Sequence, residues 1–155
     1  MLFAKSHIDL NNIRASIDRT KKISDGIVKI GPFGFGLDAV LSVSPPIGAA
    51  YSGVAGLMIL YDALRARAAP MVMVEMGMIL LLDTLAPYLG KGFGTIVDAL
   101  FTGHKWAADM LLKHMDETIY FEGNREMVMG SAEYRDLMAR IRAGKEKRRV
   151  VFLGQ

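Results

Sequence analysis

The chain has 155 residues, of which 52% are hydrophobic, with a mean hydropathy of +0.27 and a net charge of +3. It contains no cysteine, which excludes disulfides, thiolate metal sites and cysteine nucleophiles. Its basic residues are spread along the chain and mixed with acids, so the composition favours a membrane or a large apolar partner surface over nucleic acid.

The first 36 residues predict an amphipathic helix followed by a glycine-rich entry segment. Four apolar residues recur at helical spacing between residues 6 and 22: Ile8, Leu10, Ile13 and Ile17. Ser6 or Asp9 can cap this helix. Glycines and a proline then crowd residues 26–36, which predicts irregular backbone. The N-terminus lacks the pattern of a signal peptide, so we expect it to be cytoplasmic.

An uncharged run of 23 residues extends from Ala39 to Tyr61, long enough as a helix to cross a hydrocarbon core of roughly 30 Å. Pro45 and Pro46 must break this run, so we predict a short arm and then a longer helix beginning near Pro46. Small residues at i, i+4 spacing on the longer helix predict a packing interface for another helix: Ala49, Ser52, Gly53 and Gly56.

Arg65 and Arg67, together with Pro70, predict a hinge with interfacial arginines after this helix. A second apolar helix follows over residues 70–86. Pro87 and Gly90 then predict a break, and a further helix is expected from about Thr95 through the sequence WAADMLLKHM. Trp106 in that helix is a candidate interfacial anchor.

Three acids within or beside the apolar helices are candidate functional residues: Asp38, Glu75 and Asp83. An ionisable group in an apolar helix is costly and usually faces a bundle interior or water. The spacing of Glu75 and Asp83 would place them on one slowly drifting face of a single helix. The alternative is structural, with Asp38 and Asp83 capping helices and Glu75 pairing with Arg65 or Arg67.

After residue 122 the sequence has the polarity of a soluble segment. Ser131 predicts the start of a short helix with four residues on its apolar side: Tyr134, Leu137, Met138 and Ile141. Four basic residues then form a cluster that is typical of a solvated tail and less often contacts lipid headgroups or nucleic acid: Lys145, Lys147, Arg148 and Arg149.

Two stretches of the chain echo each other, LDAVLSVSPPIG at residues 37–48 and LDTLAPYLGKGFG at residues 82–94, which indicates a pseudo-repeat. With the residues around them, they resemble a family of small bacterial membrane-associated domains of unknown function, over about residues 23–104. The resemblance is carried by seven positions: Gly36, Leu37, Asp38, Pro45, Gly48, Asp83 and Asp98. It departs at Ala49, where the family has an acid. The resemblance implies an architecture and no activity.

No catalytic constellation is visible in the sequence. His7, His104 and His114 stand in separate contexts, there is no Gly-x-Ser-x-Gly motif, and the glycines of GPFGFG lack the lysine of a P-loop. His104 and His114 are ten residues apart, which does not match the spacing of a helical metal pair. We therefore predict no catalytic residues, no metal and no cofactor.

The sequence predicts an all-α protein with a membrane-embedded helical hairpin of Pro- and Gly-broken helices. We divide it into residues 1–36, a membrane domain over 37–118 and a cytoplasmic helix with a basic tail over 119–155. Six Lys and Arg precede Leu37 and eleven follow Gly90, which places both termini in the cytoplasm. The hairpin either spans the bilayer or dips into one leaflet.

The function expected from this architecture is that of a small non-enzymatic accessory, assembly or structural subunit in the bacterial cytoplasmic membrane, or in a viral or vesicle membrane. Its partners would be membrane lipid and other membrane subunits or a second copy of itself, and no nucleic acid. Two alternatives remain open. One is a pore-forming or holin-like oligomer lined by Glu75 and Asp83, and the other is a soluble helical module that binds lipid or protein.

Overall fold

A computed structural model of the protein describes residues 2–24, 45–85 and 103–154, with the backbone alone for residues 23–24 and 45–52. The elements in these ranges are α1 (His7–Ser24), α2 (Pro45–Arg65), α3 (Pro70–Leu85), α4 (Gly103–Asp116), β1 (Thr118–Phe121), α5 (Arg125–Gly130), α6 (Ala132–Arg142) and β2 (Arg149–Phe152). The predictions made for Asp38, Pro87, Gly90 and a helix start at Thr95 lie outside the described residues.

Helix α1 begins with a reciprocal cap. The backbone N–H of Asp9 donates to the Ser6 hydroxyl, and the backbone N–H of Ser6 donates to the Asp9 carboxylate, both at 3.1 Å. A further bond from the Lys5 backbone N–H reaches the same carboxylate, and this bond, followed by a hydrogen bond from the Ser6 side chain to the carboxylate, lowers the pKa of Asp9. Both candidate caps are therefore used at once.

The apolar side of α1 is narrower than its sequence pattern predicts. Leu10, Ile13 and Ile17 are buried in the core as expected, whereas Ile8 is exposed. The correction follows from helix geometry, because Ile8 lies about 160° around the helix from Leu10 and only the other three residues share one stripe.

Helix α2 starts at the two prolines, as predicted. A proline in the first helical turn loses no hydrogen bond, because the first N–H groups of a helix have no partner within the helix. At the other end, the N–H of Ala68 donates to the Ala63 carbonyl and the N–H of Arg67 donates to the Leu64 carbonyl, each at 2.9 to 3.0 Å. This is a Schellman cap, and Arg67 adopts the left-handed conformation that it requires, with φ of 54°.

In the described ranges, four helices form a bundle in which α1 packs on α2 and α4, and α3 also packs on α2 and α4. Seven large side chains are almost completely buried: Ile13, Ile17, Ile59, Met76, Leu111, Met115 and Leu153. The predicted hinge is the turn of residues 66–69, which joins α2 to α3. Together α2 and α3 form a helical hairpin on one side of the bundle.

A two-stranded parallel sheet, which the sequence did not predict, adds to the bundle. Thr118 pairs with Arg149 and Phe121 with Phe152, and β2 is followed by Leu153, which enters the bundle core. A second, smaller core forms beside the sheet, where the rings of Phe121, Tyr134 and Phe152 lie 5.7 to 6.2 Å apart. The segment after residue 119 is therefore packed back against the bundle.

Helix α6 has the cap that the sequence predicted. The Ser131 hydroxyl accepts a hydrogen bond from the backbone N–H of Tyr134 at 3.1 Å, and Leu137 is buried. The protein is mostly helical, in agreement with the expected class, apart from the two strands. Among the helices of the described ranges, none combines the length and the apolar character needed to cross a membrane.

Candidate functional site: an apolar face on the helical hairpin

The hairpin exposes a large apolar surface on the side turned away from the bundle. Ten large apolar side chains on it are between 43 and 68% exposed: Val54, Leu57, Met58 and Tyr61 of α2, and Met71, Val74, Met78, Leu81, Leu82 and Leu85 of α3. We call this surface the apolar face. Single exposed apolar residues are common, but a monomer in water rarely exposes so many together. The apolar face is therefore the strongest candidate for a functional surface.

Glu75 lies within the apolar face. It is exposed, and its helical neighbours at i−4, i+3 and i+7 are Met71, Met78 and Leu82, all members of the face. Asp83, in contrast, is buried. The prediction that the two acids share one face is wrong, because eight residues turn an α-helix by about 80° beyond two full turns. A pore lined by both carboxylates does not fit this arrangement.

Asp83 and His104 form a buried pair, which is an ion pair when His104 is protonated. The Asp83 carboxylate lies 2.8 Å from Nδ1 of His104, and the two side chains are 4 and 6% exposed. Gly103 makes this approach possible, because a Cβ added there would lie 2.8 Å from the Cβ and the Cγ of Asp83. The pair joins α3 to α4, so Asp83 has a structural contact that neither its helix-capping interpretation nor its functional interpretation predicted.

A further buried acid, Asp62, was not singled out in the sequence. It is 2% exposed and bonds Arg65 at 3.1 Å, and the Arg65 guanidinium also lies 5.6 Å from the ring centre of Tyr61. Asp62 directly follows the uncharged run, and its spacing of three residues from Arg65 could have identified the pair. Arg65 therefore pairs with Asp62 rather than with Glu75.

The hinge is held by side chains from α4 and both strands. Oη of Tyr120 donates to the Ala66 carbonyl at 3.1 Å, Arg149 Nη1 donates to the Arg67 carbonyl at 2.6 Å, and the Ala69 N–H donates to Nε2 of His114 at 3.1 Å. Burial, and next the charge of Arg149, lower the pKa of His114. Neutral His114 is thus the form that accepts the hydrogen bond from the hinge.

Arg67, predicted as an interfacial anchor, also makes contacts that hold the hinge in place. Its Nη2 donates to the Leu153 carbonyl at 3.2 Å, and its guanidinium lies 5.4 Å from the ring centre of Phe3. The hinge therefore connects both ends of the described chain. The other predicted anchor, Trp106, is exposed on α4.

At least one of the small residues predicted as a helix-packing interface packs against another helix of the same chain. Gly56 is buried against the side chain of Leu80 on α3, with an added Cβ 3.4 Å from that side chain. No described residue comes within 4 Å of a Cβ added at Gly53. The side chains of Ala49 and Ser52 lie outside the described residues. Gly56 thus supports the contact between α2 and α3.

The basic cluster near the C-terminus is only partly a solvated tail. Arg148 bonds the carboxylate of Glu146, and these bonds lower the pKa of Glu146 to about 2. Arg149 lies in β2 and bonds the hinge. Lys145 and Lys147 are exposed. The cluster is therefore not a continuous surface for an anionic partner.

Ionisable groups elsewhere do not assemble a reactive centre in the part of the chain that the structure describes. A shallow open groove beside β1 includes His7, Glu122 and Glu133 in its lining. The backbone N–H of His7 donates to the Glu122 carboxylate. No group of three potential metal ligands comes together within the described residues.

A family model described as Domain of unknown function (DUF4112) matches residues 13–115. The chain belongs to this family. The resemblance expected over residues 23–104 is thereby confirmed, and the match is wider at both ends. The DUF4112 match begins within α1 and ends at Met115 of α4, so it coincides with the four-helix bundle. No curated protein and no solved structure matches the chain.

Proposed function

We propose that the protein is a non-enzymatic membrane protein that embeds the apolar face of its helical hairpin in lipid and acts there as an accessory or assembly subunit. The observation that carries this proposal is the apolar face itself. Because α2 and α3 bury their opposite sides against α1 and α4, the hairpin offers lipid one side only. This arrangement favours insertion with the rest of the bundle held at the membrane surface.

The size of the apolar face is sufficient for stable membrane binding. Full burial of a large apolar side chain contributes about 1.5 to 3 kcal/mol, so ten half-exposed side chains would contribute roughly 7 to 15 kcal/mol. A single myristoyl chain, in comparison, gives only marginal and reversible binding. The apolar face therefore needs no lipid modification to hold the protein on a bilayer.

The charges of the hairpin support the same orientation. Asp62 pairs with Arg65, and Asp83 contacts His104, both inside the fold. At the hinge end of the apolar face, the ring of Tyr61 stacks with Arg65, a pairing of residue types suited to the headgroup region. We propose that the hinge lies near the headgroups and that the hairpin extends from it into the acyl region.

The test is flotation of the full chain with phosphatidylcholine vesicles, together with carbonate washing of native membranes. We expect the protein to float and to resist the wash. Replacement of three residues of the face, Leu57→Gln, Met78→Gln and Leu82→Gln together, should lower vesicle partition at least tenfold, because each change removes about 1 kcal/mol of apolar transfer. The fold should persist, since all three side chains are exposed.

The matched control replaces exposed apolar residues outside the hairpin, Ile8→Gln and Met127→Gln, which are 72 and 77% exposed. This variant should partition like the unaltered protein. A chain that remains a monomer in solution without detergent and does not float would refute the proposal and support the soluble binding module. Equal losses in the two variants would show that general surface polarity, and not the apolar face, governs binding.

A further inference from the structure

The apolar face contains one acid that the fold leaves facing outward. Glu75 lies one and a half turns from the start of α3 and is flanked along the helix by exposed members of the face. The other acids of the hairpin, Asp62 and Asp83, are buried and ion-paired. Within the described residues, no ion pair involves Glu75. The hairpin thus keeps two acids inside the bundle and presents the carboxylate of Glu75 on the apolar face.

A carboxylate on a lipid-facing surface is costly, and such groups are usually paired with a cation or turned toward a polar interior. The apolar face cannot supply the cation from a second copy of itself. Its exposed members are all uncharged apart from Glu75, and the nearest arginine, Arg65, bonds Asp62 and stacks on Tyr61. Among the described residues, two apolar faces placed together would therefore bring two carboxylates and no complementary base into the contact.

We propose that the apolar face docks a membrane-embedded helix of another protein that carries a lysine or arginine opposite Glu75. This inference rests on the proposed function, and it specifies the chemistry of the partner. An apolar helix complements the exposed apolar residues of α2 and α3, and none of the described residues near Gly53 blocks a close approach of its backbone to α2. The ion pair fixes the depth and register of the partner helix, which apolar contacts alone do not specify.

The experiment measures association of the full chain with synthetic transmembrane helices in phosphatidylcholine vesicles by energy transfer between fluorophores. The helices are leucine-rich and carry, at a depth matching Glu75, a single lysine, a single glutamate or only leucine. We expect the lysine helix to bind about tenfold more tightly than the leucine helix, in line with polar contacts between membrane helices. Glu75→Gln should remove this preference, and Glu75→Lys should transfer it to the glutamate helix.

Glu133→Gln is the matched control, since Glu133 is an exposed acid on α6 outside the hairpin, and this variant should keep the preference for the lysine helix. If the unaltered chain floats with vesicles but binds the lysine and leucine helices with equal affinity, the inference is overturned and the proposed function stands. Self-association that Glu75→Gln abolishes would also overturn it, in favour of a second copy. A chain that fails to bind vesicles at all would instead refute the proposed function.

Discussion

The ion pair between Asp83 and His104 should be among the largest single contributions to stability in the bundle. Replacing Asp83 with Ala leaves His104 buried without this acceptor, and breaking a buried pair by removing one partner costs about 3 to 5 kcal/mol. Such a loss would be a large share of a total stability of about 5 to 15 kcal/mol. Asp83→Asn should lose less, because the amide oxygen can still accept a hydrogen bond from Nδ1 of His104.

Urea unfolding followed by circular dichroism measures this loss. With a slope of about 2 kcal/mol per molar urea, Asp83→Ala should lower the midpoint by about 2 M. The matched control is Asp109→Ala, which removes an exposed carboxylate that pairs with Lys21 and is 53% exposed. Its cost should be about 0.2 to 1 kcal/mol. Equal midpoint shifts for the two variants would refute the reasoning that burial makes the Asp83 pair costly to break.

Two further predictions concern the hinge and the contact between α3 and α4. Because the folded state lowers the pKa of His114 from 6.5, unfolded His114 binds a proton first as the pH falls, and stability should decline from about pH 7.5 toward pH 5.5. The same urea series with His114→Gln should lack this contribution of His114 to the decline in stability. Parallel pH profiles for the variant and the unaltered chain would contradict the prediction. Gly103→Ala should lower the free energy of unfolding by roughly 1 to 2 kcal/mol. The added methyl group would overlap Asp83, and the better helix propensity of Ala offsets only about 1 kcal/mol of this cost. A thermal midpoint equal to or above that of the unaltered chain would show that α4 shifts without cost.

Features governed by neighbours along the chain were predictable from the sequence. The starts of α2 and α3 at Pro45 and Pro70 follow from the fixed φ of proline. The caps of α1 and α6 follow from Ser6 and Ser131, whose hydroxyls accept hydrogen bonds from the backbone N–H groups three residues later. The expectation that the hairpin contacts lipid remains a prediction that the exposed side chains support.

Features governed by contacts between distant segments were not predictable in the same way. The strands are four residues each, and their parallel pairing joins Thr118 to Arg149 across two intervening helices. Because the strands are not joined by a short turn, the sequence carries no local hairpin pattern that would predict them. The exposure of Glu75 and the burial of Asp83 could be predicted only by knowing which side of α3 packs against α4. For the same reason, the partners of Asp83 and of Arg67 emerged only from the packed bundle.

The position of Leu153 has a consequence for how the chain folds during synthesis. This residue is completely buried in the bundle core, yet the ribosome adds it only after the whole of the family-matched region. The four helices can form locally and meet early, but they must leave an opening until β2 pairs with β1 and inserts Leu153. The nascent bundle would therefore expose both this unfilled core and its apolar face until β2 has been synthesised and paired.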